Sequence, residues 1–181
     1  MRRYAAFLRG VNLGTRRRVK NEDLRRVFEE LGLEDVATFR ASGNVIFGAA
    51  GGEEGPLAAA IETGLEEVLR FDVSVLLRST KEVRAIAAHV PFEPKIVAAS
   101  RGQLQVILLA EKPAAKMRKE VLSLATEKDR LALHGRELYW LPSAGTMDST
   151  LDQKAIGSAL GLTTMRTKGT IEQIAAKYFA G

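Results

Sequence analysis

The chain has 181 residues, 46% of them hydrophobic and 27% charged, with a formal net charge of +5 and no cysteine. That balance belongs to a folded protein with a sizeable core, and the missing thiols exclude disulfide scaffolds, thiolate zinc sites and cysteine nucleophiles. No apolar stretch approaches the roughly 20 residues of a membrane span, so a soluble cytoplasmic protein with no membrane partner is expected.

In chain order, Tyr4 to Arg9 is a short apolar run closed by a glycine turn and predicts a first strand. The same run is too short to be the core of a signal peptide. The loop Gly10 to Thr15 leads into Arg16, Arg17 and Arg18. Asn21 is a favourable N-cap, Glu22 and Asp23 suit a helix start, and Leu24, Val27, Phe28 and Leu31 recur at helical spacing up to Gly32. Val36 to Arg40 and Val45 to Phe47 predict two strands joined by the turn Ser42-Gly43-Asn44. Gly48 to Pro56 reads as a loop, Leu57 to Leu69 as a helix and Val73 to Leu77 as a buried strand. The order β-α-β-β-α-β defines an α+β, ferredoxin-like first subdomain over residues 1–79.

Residues 80–102 supply a helix, Thr80 to His89, and a loop with Pro91 and Pro94. Residues 103–181 predict a second, less regular α+β subdomain. Its strand Gln103 to Leu109 is followed by a helix opened at Pro113 and by a hairpin across His134-Gly135-Arg136. A helix from Asp152 to Leu160, an extended Thr163 to Arg166 and a last helix from Thr170 to Phe179 complete it. Tyr139 and Trp140, being adjacent, face opposite sides of a sheet; one is expected in the core and the other beside a groove, with no sign of which is which.

Charge is unevenly spread. Met1 to Arg26 holds nine basic residues against two acidic ones, a local +7, whereas Val27 to Glu111 is −6 and Lys112 to Gly181 is +4. Backbone amides of a glycine-containing turn and forked guanidinium groups both suit phosphate or carboxylate oxygens. Arg9, Asn12, Arg16, Arg17 and Arg18 are therefore the candidate anion-binding residues. The glycine spacing is not that of a Walker loop. The plainer reading is a solvated basic loop that aids solubility.

Other motifs carry less chemistry. Ser42 lacks the flanking glycines of a nucleophile elbow, and a hairpin turn accounts for Ser42 and Asn44. His89 and His134 have no second histidine or carboxylate at ligand spacing, so no metal and no cofactor are expected. The glycines from Gly48 to Gly55 match no nucleotide fingerprint and read as a linker. RNA-recognition motifs stack bases on aromatics of the first and third strands. Here Phe47 stands alone on the third, so contact with a nucleic-acid backbone remains open while base readout does not.

Leu8-Arg9-Gly10-Val11-Asn12-Leu13-Gly14, Val19-Lys20, Leu24 and Ser42 to Phe47 resemble the bacterial family of domain of unknown function 1697. The resemblance continues through Pro91-Phe92, Gly135 to Tyr139 and Arg166 to Thr170. It implies two α+β subdomains and brings no activity, ligand or catalytic residue. The chain departs from the family's Arg-Asn-Trp-Asn-Thr pattern, reading Arg166-Thr167-Lys168-Gly169-Thr170, and has Ser149-Thr150-Leu151 where Ser-Lys-Leu is usual.

Three functions follow as expectations. The first is a non-catalytic module that binds a phosphorylated metabolite or a nucleic-acid backbone through the arginine-rich loop. The second is an enzyme acting on a small polar substrate in a cleft between the subdomains, with Arg9, Asn12, Ser42, Asn44 and Arg166 converging. The third is an assembly protein, a homo-oligomer whose acidic and basic surfaces pair between subunits.

Overall fold

The computed structural model describes residues 1–12 and 17–180. The chain is α+β and divides into two units, Met1–Arg84 with Ile174–Gly181, and Ala85–Gln173. In the first, β1 (Arg2–Arg9), α1 (Asn21–Glu30), β2 (Glu34–Thr38), β3 (Asn44–Ala49), α2 (Glu54–Leu69) and β4 (Ser74–Ser79) follow in the order the hydrophobic pattern predicts. The sheet runs β2-β3-β1-β4 with every neighbouring pair antiparallel. Alternate residues Tyr4, Ala6 and Leu8 of β1 join Val45 and Phe47 of β3 and Val75 and Leu77 of β4 in one core with α1 and α2. Phe47 centres an aromatic set, stacked on Tyr4 at 5.8 Å and edge-on to Phe28 at 5.3 Å.

Several boundaries differ from the sequence expectation for identifiable reasons. Lys20, in extended conformation, occupies the N-cap of α1, so Asn21 is its first residue and makes no cap bond. Strand β2 starts two residues early because its pairing is irregular between Glu34 and Ala37, where Asp35 has φ 49°. A bulge of this kind breaks the period-two signal. Helix α2 starts at Glu54, its first turn holding Gly55 and Pro56; proline is tolerated there because its missing N–H would have no partner.

Helix α3 (Thr80–Ala88) leads into the second unit. There the Pro91/Pro94 segment, expected as a loop, contains a short helix, α4 (Pro94–Ala99), with proline in its first turn. Then come β5 (Gln105–Leu109), α5 (Ala115–Ser123), β6 (Asp129–His134), β7 (Glu137–Pro142), α6 (Gln153–Leu160), β8 (Thr163–Thr167) and α7 (Lys168–Tyr178). The sheet order is β6-β7-β5-β8, the same arrangement as in the first unit when strands are matched in sequence. The second unit thus has a four-stranded sheet of its own, its fourth strand being the segment read only as extended.

Trp140 and Tyr139 are both fully buried. Trp140 belongs to the second core with Ile107, Val121, Leu138 and Ile156. Its Nε1–H donates to Asp129 Oδ1 at 2.8 Å, which also accepts from Ser149 Oγ at 2.7 Å, while Thr126 Oγ1 donates to Oδ2 at 3.0 Å. Three donors therefore satisfy a buried carboxylate.

Residues 174–180, which a division by sequence order assigns to the second half, pack with the first unit. Arg3 Nη1 donates to Tyr178 O at 2.8 Å and lies over the Phe179 ring, and Phe179 is buried. Among the described residues no helix is long and apolar enough to cross a membrane.

Candidate functional site

The basic loop lies at the end of β1. Gly10 takes φ 94°, and a Cβ there would stand 3.1 Å from Asp72 O, so the loop approaches the segment before β4 closely. Asn12 adopts φ 56° and is held at three points. Its N–H donates to Arg17 O (2.8 Å), its Nδ2 donates to Ala41 O (2.8 Å) and its Oδ1 accepts from Val19 N (2.9 Å). Asparagine tolerates the left-handed region and can bond the backbone locally, which is why it stands here. Its amide therefore staples the loop to the β2–β3 turn.

Arg9, Arg17 and Arg18 are exposed. The Arg17 guanidinium lies over the Phe71 ring at 5.2 Å, a cation–π contact that leaves its N–H edges to solvent. Among the described residues, none of the three has a carboxylate partner. The nearest acidic groups in sequence lie on α1, where Asp23 pairs with Arg26 at 2.9 Å and Glu29 with Arg25 at 3.4 Å. Arg16 lies outside the described residues.

The turn Ser42-Gly43-Asn44 packs on the same strand end. Leu8 N–H donates to Gly43 O at 2.8 Å. Gly43 has φ 66°, and a Cβ on it would come within 2.6 Å of Val11 Cγ2. Buried Asn44 donates from Nδ2 to Phe39 O and to Ser42 Oγ, at 3.1 and 2.8 Å. Arg9, Asn12, Ser42 and Asn44 thus belong to one end of the first sheet, while Arg166 lies on β8 of the second unit. There Arg166 Nη1 donates to Thr164 Oγ1 and Met165 O, and burial lowers its pKa to about 10. It stays charged at neutral pH.

Sequence reasoning passed over a pocket of about 550 Å³ within the second unit. Its apolar wall comes from Val90, Pro91, Phe92, Val97 and Leu104, and its polar end from His89 and the start of α7. Lys168 is only 8% exposed, and its Nζ donates to Ala87 O and to Glu172 Oε1, both at 2.7 Å. His89 stacks on His134, ring centroids 4.4 Å apart, and meets Tyr139 at 4.9 Å. Burial, then the positive charges of His134 and Lys168, lower the His89 pKa below its usual 6.5, so the ring is neutral at pH 7. Two histidines 45 positions apart carry no local signal, and the sequence pattern starts the last helix at Thr170, whereas α7 begins at Lys168. Among the described residues no cluster of His, Asp and Glu could hold a metal ion.

Residues 1–139 match the proteins of unknown function DUF1697, and the chain belongs to that family. A solved structure of the conserved bacterial protein SP0830 from Streptococcus pneumoniae is similar in fold, with a TM-score of 0.71 over 97% of each chain at 22% identity. No curated protein matches the chain.

Proposed function

We propose that the protein is a non-catalytic module that binds the phosphates of a nucleic-acid backbone or a phosphorylated metabolite at the basic loop, working in the cytoplasm where both abound. One observation carries this reading: exposed Arg9, Arg17 and Arg18 face solvent without a carboxylate partner among the described residues. Unpaired guanidinium groups are already hydrated and lose no intramolecular ion pair when an anion arrives, and their fork geometry matches phosphate oxygens. Asn12 and Gly10 contribute by fixing the loop backbone rather than by touching the ligand. The enzyme and assembly readings have no comparable observation behind them.

Fluorescence titration of the full chain against single-stranded RNA, duplex DNA and nucleotides tests it. Three phosphate contacts to duplex DNA imply that affinity falls roughly fortyfold between 50 and 200 mM salt. The triple variant R9Q/R17Q/R18Q should abolish that dependence. Binding that ignores salt, or survives in the triple variant, overturns the proposal. A response to nucleotides alone identifies the metabolite; a response that grows with oligonucleotide length identifies the backbone.

A further inference from the structure

The geometry points to a second site, distinct from the basic loop: the pocket beside the first turn of α7 takes a small organic acid, with an aryl or alkyl body against the apolar wall and one carboxylate against Lys168. The volume of about 550 Å³ falls in the range of small-molecule sites and is too small for a folded partner. An apolar wall with polar groups gathered at one end asks for a ligand of the same polarity.

Charge selects the head group. Lys168 and Glu172 form an ion pair at 2.7 Å, but the two partners are unequally solvated, the lysine side chain being 10% exposed and the glutamate 50%. Water screens the carboxylate, while the ammonium has lost most of its hydration and has regained only part of it. An ammonium has three donors. Two go to Ala87 O and Glu172 Oε1, and the third has no acceptor among the described residues. Beside it, Gly169 N–H belongs to the leading turn of a helix, where amides have no carbonyl ahead of them, and a Cβ on Gly169 would meet nothing within 4 Å. An acceptor head thus finds two donors and open space. Glu172 also lines the pocket, but its carboxylate is already paired with Lys168, so a cationic head would meet a neutralised pair and the positive end of the helix. His89, neutral at pH 7, adds a flat ring edge to the lining and no charge that would compete for the acid.

Calorimetric titration of the full chain with 4-phenylbutyrate, octanoate and 1-naphthoate, each beside its alcohol counterpart, tests the site. At least one acid should bind in the low-millimolar range or tighter, about tenfold more tightly than its alcohol. A98W should remove binding, because Ala98 is an exposed residue of the pocket wall where a large side chain fills the space without disturbing a core. K168M should equalise acid and alcohol, with thermal melting confirming that it folds; A98W and the acid–alcohol ratio decide the matter if it does not. The triple arginine variant should bind the acids as wild type does, which separates this site from the basic loop. Failure of every acid to bind, equal affinity for acid and alcohol in the wild type, unchanged binding by A98W, or loss of binding in the arginine variant each overturns the proposal.

Discussion

Gly43 shows how one residue ties the basic loop to the sheet. Its φ of 66° lies where L-residues are strained, and any Cβ would press within 2.6 Å of Val11 Cγ2 and 3.0 Å of Leu8 Cβ. Gly43→Ala should therefore destabilise the protein by about 2 kcal/mol or more, combining backbone strain with overpacking. Urea unfolding reads this directly, and an unchanged midpoint would show that the turn relaxes freely. Asp129 offers a second test at this scale. Asp129→Ala leaves Trp140 Nε1–H buried without its acceptor and strips Ser149 and Thr126 of theirs, for a loss of about 2–3 kcal/mol. Trp140 is the only tryptophan in the chain, so its fluorescence follows both the unfolding and any local wetting.

At the scale of elements, the contact between the residue after α3 and the end of β6 is sensitive to pH. His89 N–H closes the last turn of α3 on Ala85 O, and its ring stacks on His134 with Tyr139 and Lys168 as its other polar neighbours. Because the folded pKa lies below 6.5, the unfolded chain binds more protons than the folded one in the interval between the two values. Stability is therefore full above pH 6.5 and declines as the pH falls through the lowered value. His89→Gln should flatten this slope in melting curves taken from pH 5 to 8; a variant with the wild-type slope assigns it elsewhere. Most elements were legible in the sequence: β1, β3, β4, β5 and β7 contain apolar runs, while β2 and β6, which mix charged and apolar residues, were marked by the turns at Gly43 and Gly135 that follow them. What escaped was set by tertiary contact: the bulge at Asp35, the short α4 and the start of α7 at Lys168. Of the candidate site, the exposure of Arg9, Arg17 and Arg18 agrees with their charge, but the stapling role of Asn12 was invisible because its partners, Ala41 and Val19, are defined only by the folded turn.

Across the whole molecule, sequence order and spatial order part company at the C-terminus. The last turns of α7 return to the first unit, where Ile174 and Phe179 are buried and Tyr178 O accepts from Arg3. Arg84 Nε donates to Phe179 O, so β1 through Arg3 and α3 through Arg84 both bond to residues supplied last. The tyrosine side chain reaches the same unit, its ring edge-on to Phe39 at 6.2 Å. Burying Ile174 and Phe179 is worth about 1.5–3 kcal/mol each by transfer alone. A chain ending at Gln173 should therefore lose several kcal/mol from the first unit, although the deleted segment lies farthest from it in sequence. Hydrogen exchange distinguishes this from a general loss. Amides of β1 and β4 should lose protection first and most, while those of β5 and β7, whose Ile107, Leu109, Leu138 and Trp140 pack in a cluster that contains none of residues 174–180, should keep theirs longer. Uniform loss across both sheets would mean that the two cores unfold as one cooperative block, and retention at β1 would mean that the C-terminal turns only cover a unit already complete without them.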